Sequence, residues 1–194
     1  MSNAPRIGVG VLAAGASSRF GKADKLAQTF RDRPLGEHAA IAIPRTRCSH
    51  AWMITSRPRH RCEAAWRECR FEPVINPDCA KGMGTSLALA AALAKQARCD
   101  ALLIALADMP LVPRAHFDAL IDAFANGALV ASSDTGSALM PPAIFDASLF
   151  DELKNITGDK GARALIQSGV RVACPPGQLI DIDSPRDLQK YGQA

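Results

Sequence analysis

The chain has 194 residues, 48% hydrophobic and 22% charged, with a formal net charge of +4. That length suits one α/β domain over residues 1–194 with a sizeable core. The composition excludes a disordered or collagen-like chain, and no apolar run reaches the ~18–20 residues of a membrane span.

The opening residues, Met1 to Arg6, lack the apolar stretch of a secretory signal. Six cysteines stand at 48, 62, 69, 79, 99 and 174, with no Cys-x-x-Cys pair and no zinc-ligand spacing. The expectation is a reduced, cytoplasmic protein with no membrane partner.

Strand-like and helix-like segments alternate along the chain. This predicts an α/β fold with three layers, α/β/α, around a mostly parallel, doubly wound sheet. Strands are expected over 6–12, 50–55, 72–75, 101–106, 127–131, 170–173 and 179–182. Helices are expected over 34–44, 59–69, 84–97, 113–125, 147–154, 160–168 and 185–191.

The first strand, Ile7-Gly8-Val9-Gly10-Val11, runs into a loop of small residues carrying Arg19, Lys22 and Lys25. Small residues let backbone N–H groups approach an anion, and the cations neutralise it. That is the chemistry of a polyphosphate site. It is not a Walker loop: five residues separate Gly15 from Gly21, and Ala23 follows Lys22 where a hydroxyl should hold Mg²⁺. Gly8-x-Gly10-x-x-Ala13 imitates a dinucleotide fingerprint, but its glycines lie inside the strand rather than after it.

Arginines 45, 47, 57, 59, 61, 67 and 70 follow. Only Trp52 and Trp66 interleave them, so the stretch reads as solvated helix face and loops rather than a nucleic-acid surface. At Gly82-Met83-Gly84-Thr85-Ser86, two glycines before a helix permit close backbone approach, and Ser86 offers a hydroxyl. The continuously apolar run 101–106 reads as a strand buried on both faces. It ends beside Asp108, a carboxylate placed to bind Mg²⁺. Pro113 can open the next helix, and Ser184-Pro185 reads as an N-cap followed by proline at the first helical position. Asp183 leaves the last predicted strand. Asp181, two residues earlier, points the same way if the strand continues, so both stand as the second carboxylate. Asp159, Lys160 and Arg163 form either a capped helix start or part of a site.

The pattern Leu12-Ala13-Ala14-Gly15-x-Ser17-x-Arg19-Phe20-Gly21-x-x-Asp24-Lys25-Leu26 resembles the signature of the MobA-like nucleotidyltransferases. These enzymes attach a nucleotide to the molybdenum cofactor. Gly82 to Leu87, Leu106 to Pro110, Gly158 to Arg163 and the tail Asp181 to Leu188 agree in the same order. The resemblance implies a Rossmann-like fold of the nucleotide-diphospho-sugar transferase kind. It implies Mg²⁺-dependent transfer of a nucleotide from a nucleoside triphosphate to a phosphorylated acceptor, with release of pyrophosphate.

On this resemblance the catalytic residues are Lys25, Arg19 and Asp108, with Arg19 and Lys25 holding the β- and γ-phosphates. Leu12, Ala13, Ala14, Gly15 and Lys22 approach the nucleotide, and Gly82, Gly84 and Ser86 read its base and ribose. Asp108 and Asp183 hold the metal. Leu-Ala-Ala-Gly and Gly-Met-Gly-x-Ser lean toward the cytidylyl-transferring branch, so CTP is the expected nucleotide. Molybdopterin is the expected acceptor, and a molybdoenzyme the partner served. A sugar or alcohol phosphate acceptor, and a non-catalytic carrier of nucleotide or cofactor, are the rivals. The chain departs from the family over 27–38 and 134–142, the latter on the acceptor side.

Overall fold

The apolar run at the start of the chain forms β1 (Ile7–Ala13), in a computed structural model that describes residues 4–15, 20–21, 23–156 and 159–193, without the side chains of 159–161. A short hairpin, β2 (Thr29–Phe30) and β3 (Arg33–Pro34), precedes α1 (His38–Ala42). Next come β4 (His50–Thr55), α2 (Glu63–Glu68), β5 (Glu72–Ile75), α3 (Met83–Gln96), β6 (Ala101–Leu106) and α4 (Arg114–Ala125). The chain continues through β7 (Val130–Asp134), β8 (Leu139–Asp146), α5 (Phe150–Lys154), α6 (Asp159–Gln167), β9 (Val170–Ala173) and α7 (Pro185–Gly192).

Among the described residues, seven strands form one sheet in the order β5-β4-β1-β6-β8-β7-β9. β1 pairs in parallel with both β4 and β6, which explains why neither β1 nor β6 alternates in polarity. Only β8 runs antiparallel to its neighbours, β6 and β7. Strand alternation divides the core in two. Val9, Val11, Leu103 and Ala105 meet Trp66 of α2 and Phe117, Leu120 and Ile121 of α4 on one face. Leu102 and Ile104 meet Leu87, Ala90 and Ala94 of α3 and Phe150 and Leu153 of α5 on the other. Each large side chain so buried contributes roughly 1.5–3 kcal/mol. The layering is α/β/α.

Gly10 lets α3 settle onto β1: a Cβ there would stand 2.8 Å from the Ala90 Cβ. The glycines of the false dinucleotide fingerprint therefore serve packing.

Three departures from the expected elements stand out. β8 is absent from the expected strands; two adjacent prolines, Pro141 and Pro142, disfavour a strand there. Both prolines lie beyond the β6 pairing, which stops at Ile104 opposite Ala143. There the β7 register also breaks, with Ser132 opposite Ala143 and Ser133 opposite Met140. Residues 179–182 form no strand. They cross the carboxyl end of β6, where the ladder has ended, and Ile182 N–H bonds the Asp108 carbonyl at 2.9 Å. The helix expected over 34–44 is a 3₁₀ turn, Leu35–Glu37, followed by the short α1.

Candidate functional site

The site lies at the carboxyl ends of β1 and β6, as open α/β sheets favour. A cavity of about 260 Å³ is lined by Leu12, Ala13, Ala14 and Gly15 from the end of β1 and the loop after it. Gly82, Met83 and Ser86 line it from the start of α3, and Leu106 and Asp108 from the end of β6. Lys25 closes the floor. The sequence thus names most of this wall. Gly84 falls just outside, lining a small apolar gap under α3 with Leu87 and Phe145. Arg19 and Lys22 lie outside the described residues, as do the side chains of Asp159 and Lys160.

Lys25 is 8% exposed and bridges two carboxylates. Its Nζ donates to Asp108 Oδ2 at 2.6 Å and to Asp183 Oδ1 at 3.2 Å. Burial works against its charge, but Asp108, and Asp183 after it, more than offset that, so its pKa stands above the ordinary lysine value. Asp181 lies at the rim of the same group. Desolvation, then the charges of Asp108 and Asp183, push its carboxyl up to about 6. Asp183, not Asp181, shares the Lys25 ammonium with Asp108.

The cation placed between Asp108 and Asp183 shows that the two carboxylates converge on one point. Hard oxygen donors of this kind suit Mg²⁺ or Mn²⁺. Among the described residues no group of three or more His, Cys, Asp or Glu could hold a metal ion. A metal here would complete its shell with substrate phosphates and water, as Mg²⁺ commonly does.

The loop geometry has local causes. Asp24 accepts from Leu26 N–H at 3.1 Å, capping the 3₁₀ turn Lys25–Ala27 that carries the lysine. Its other carboxylate oxygen meets Arg57 and, at 2.9 Å, His60 Nε2. Cys62 N–H donates to His60 Nδ1 at 3.1 Å, which assigns the ring proton to Nε2, facing Asp24. Across the cavity Gly82 takes φ +113°, a conformation only glycine adopts freely. Asn76, 2% exposed, donates from Nδ2 to Thr85 Oγ1 and Ser86 Oγ, both at 2.9 Å. This orients the first turn of α3.

Asn76 and His60 escaped the sequence reading. Asn76 directly follows β5, and loops after strands carry chemistry in open α/β sheets, a signal that could have marked it. Nothing local marked His60. Among the described residues, three of the seven arginines in the stretch form ion pairs within the protein: Arg47 with Asp118 and Asp122, Arg57 with Asp24, and Arg67 with Glu63.

Beside the first cavity, and sharing Met83 and Leu106 with it, lies a second of about 430 Å³. Met140 and Pro141 of β8, Ala162, Arg163 and Ile166 of α6, and Asp181 line it. Two compartments thus meet beside the Lys25–Asp108–Asp183 group, as joining a nucleotide to a second molecule requires.

The MobA-like NTP transferase domain family matches residues 9–172. Purine catabolism protein PucB of Bacillus subtilis (strain 168) is 31% identical over 197 residues, covering 94% of either chain. The manganese complex of Rv0371c from Mycobacterium tuberculosis H37Rv superposes with a TM-score of 0.76 at 23% identity, covering 97% of this chain and 99% of that one. A Methanothermobacter nucleotidyl transferase, Mth528, gives a TM-score of 0.78 at 20% identity, covering 96% of each.

Proposed function

The chain belongs to the MobA-like NTP transferase family and is a nucleotidyltransferase, and on that premise we propose that it joins the CMP moiety of CTP to molybdopterin with Mg²⁺ as cofactor. The observation that carries this reading is the Lys25 ammonium bridging Asp108 and Asp183 at the floor of the loop cavity.

In this reading the acceptor phosphate attacks the α-phosphorus of the nucleotide in line. The bond to the β-phosphate breaks, and pyrophosphate leaves. The chain supplies no covalent nucleophile; it positions two anions and offsets their charge. The backbone at Leu12, Ala13, Ala14 and Gly15 cradles the nucleotide, while Gly82 and Ser86 face its base and ribose; Gly84, outside this cavity, lines the apolar gap under α3. Lys25 and Arg19 hold the β- and γ-phosphates, where negative charge grows as pyrophosphate departs, and Lys22 adds to them. Asp108 and Asp183 would hold the Mg²⁺, which when bound polarises the phosphates. The second cavity takes the acceptor, with Arg163 able to grip its phosphate by two hydrogen bonds. Asp159 and Lys160 belong to the same acceptor-side segment.

The manganese bound by Rv0371c supports the divalent cation. The likeness to a purine catabolism protein supports a setting in purine breakdown; a molybdoenzyme as the partner served is our reading from the family resemblance alone. We assign the enzyme to the cytoplasm as a single domain, in keeping with its six free cysteines. Among the described residues no helix is long and apolar enough to cross a membrane.

The test is pyrophosphate release from CTP, GTP, ATP or UTP, each with Mg²⁺ and molybdopterin. Release is expected with CTP alone. Lys25→Ala and Asp108→Asn should each lower it by about a hundredfold or more while the protein stays folded. A folded, fully active Lys25→Ala enzyme would overturn the assignment. Nucleotide binding without release would turn the search to sugar or alcohol phosphates, and then to a carrier role.

A further inference from the structure

Two adjacent serines of β7 hold the walls of the second cavity. Ser132 and Ser133 are fully buried, and strand alternation sends them to opposite faces of the sheet. Ser132 Oγ donates to the Ile166 carbonyl of α6 at 2.9 Å. Ser133 Oγ donates to the Pro142 carbonyl of β8 at 2.6 Å. Pro141 and Pro142 are the two residues that the register break loops out between Met140 and Ala143. Neither has an N–H to give the ladder, so a side chain must secure this bulge. A hydroxyl has one proton, and Ser133 has committed it to Pro142. Ser133 Oγ therefore accepts from His116 Nε2, 2.7 Å away on α4. His116 is 3% exposed and plays no part in the chemistry described above. Gln167 Nε2 donates to the Leu139 carbonyl at 2.7 Å and ties α6 to the same strand.

Met140, Pro141 and Ile166, which these bonds fix, line the second cavity and not the nucleotide cavity. We propose that His116, acting through Ser133, is a positioning residue for acceptor recognition. The chain His116–Ser133–Pro142 sets the stance of Met140 and Pro141 and so the shape of the compartment. This rests on the reading that the second cavity takes the acceptor.

The experiment compares His116→Phe, His116→Gln and Ser133→Ala with the parent enzyme. CTP affinity is measured by calorimetry, and pyrophosphate release is followed at varied molybdopterin. His116→Phe and Ser133→Ala should raise the acceptor KM about tenfold or more. CTP affinity should stay within about twofold, and kcat should change less than KM. His116→Gln keeps a donor near the Nε2 position and should restore most of the loss. Equal losses of CTP affinity and acceptor KM, or an unchanged acceptor KM, would overturn the proposal. If the parent enzyme releases no pyrophosphate with molybdopterin, it is the acceptor reading that has failed. The positioning role is then judged by ¹³C-methyl methionine spectra: Ser133→Ala or His116→Phe must move the Met140 signal and leave Met53, buried in the opposite half of the sheet, in place. An unmoved Met140 signal overturns it.

Discussion

Lys25 is held by charge from two sides, and its neighbours bear the consequences. Three carboxylates, Asp108, Asp181 and Asp183, crowd one ammonium, and Asp181 makes no hydrogen bond to it. The pKa of Asp181 near 6 lies above its ordinary 3.8, so folding favours its protonated form. The stability this gives is fully present below pH 3.8 and is lost as pH rises through 6. Asp181→Asn should therefore unfold at higher urea than the parent protein at pH 7.5 in metal-free buffer. The gap should close as pH falls from 6 to below 4; a gap that widens on acidification would refute the coupling. Motif residues such as Lys25 and Asp108 were legible because their chemistry is local: a cation in a loop of small residues, a carboxylate just past a buried strand. Asn76, His60 and His116 were not. Each acts through a partner brought to it by the fold, respectively Ser86, Asp24 and Ser133.

At the scale of elements, the buried parallel strands were read nearly in place, because a continuous apolar run can be satisfied only between two layers. The misreadings share a cause. β8 carries two prolines yet sits inside the sheet, because its pairing with β6 uses only Ala143 to Asp146. Residues 179–182 look like a strand but pass the end of β6, and there they bring Asp181 and Asp183 beside Asp108. Contact between α3 and β1 is equally a matter of fit. Gly10→Val puts branched carbon where a single Cβ already meets Ala90 at 2.8 Å and Ile104 at 3.0 Å. It should destabilise the protein by about 1–3 kcal/mol, read as a lower urea midpoint with an unchanged slope. An unshifted midpoint would mean that α3 is free to move away.

For the whole molecule, three imidazoles respond to acid together. His38, His60 and His116 lie in different parts of one half of the core. Burial holds each below its ordinary 6.5. The unfolded chain takes up protons near pH 6.5 that the folded chain refuses. Stability should therefore be flat above pH 7.5 and fall as pH drops through 6.5 toward the depressed folded values. Asp181 opposes this fall below pH 6, one group against three, so the net direction is downward. Denaturant unfolding at pH 7.5 and 5.5 checks it, and equal stability at both would show that the imidazoles reach solvent.

The sequence by itself determined the layers, the small-residue loop after β1 and the identity of the charged groups, because periodicity, small-residue spacing and residue type are properties of short stretches. Only the tertiary structure decided that Asp183 rather than Asp181 shares the lysine, that a proline-bearing strand completes the sheet, and that a second cavity adjoins the first. Those outcomes depend on where distant segments end relative to one another. Lys25 and Asp183 lie 158 residues apart in the chain. Their meeting is fixed by the packing of the layers between them, which no local pattern records.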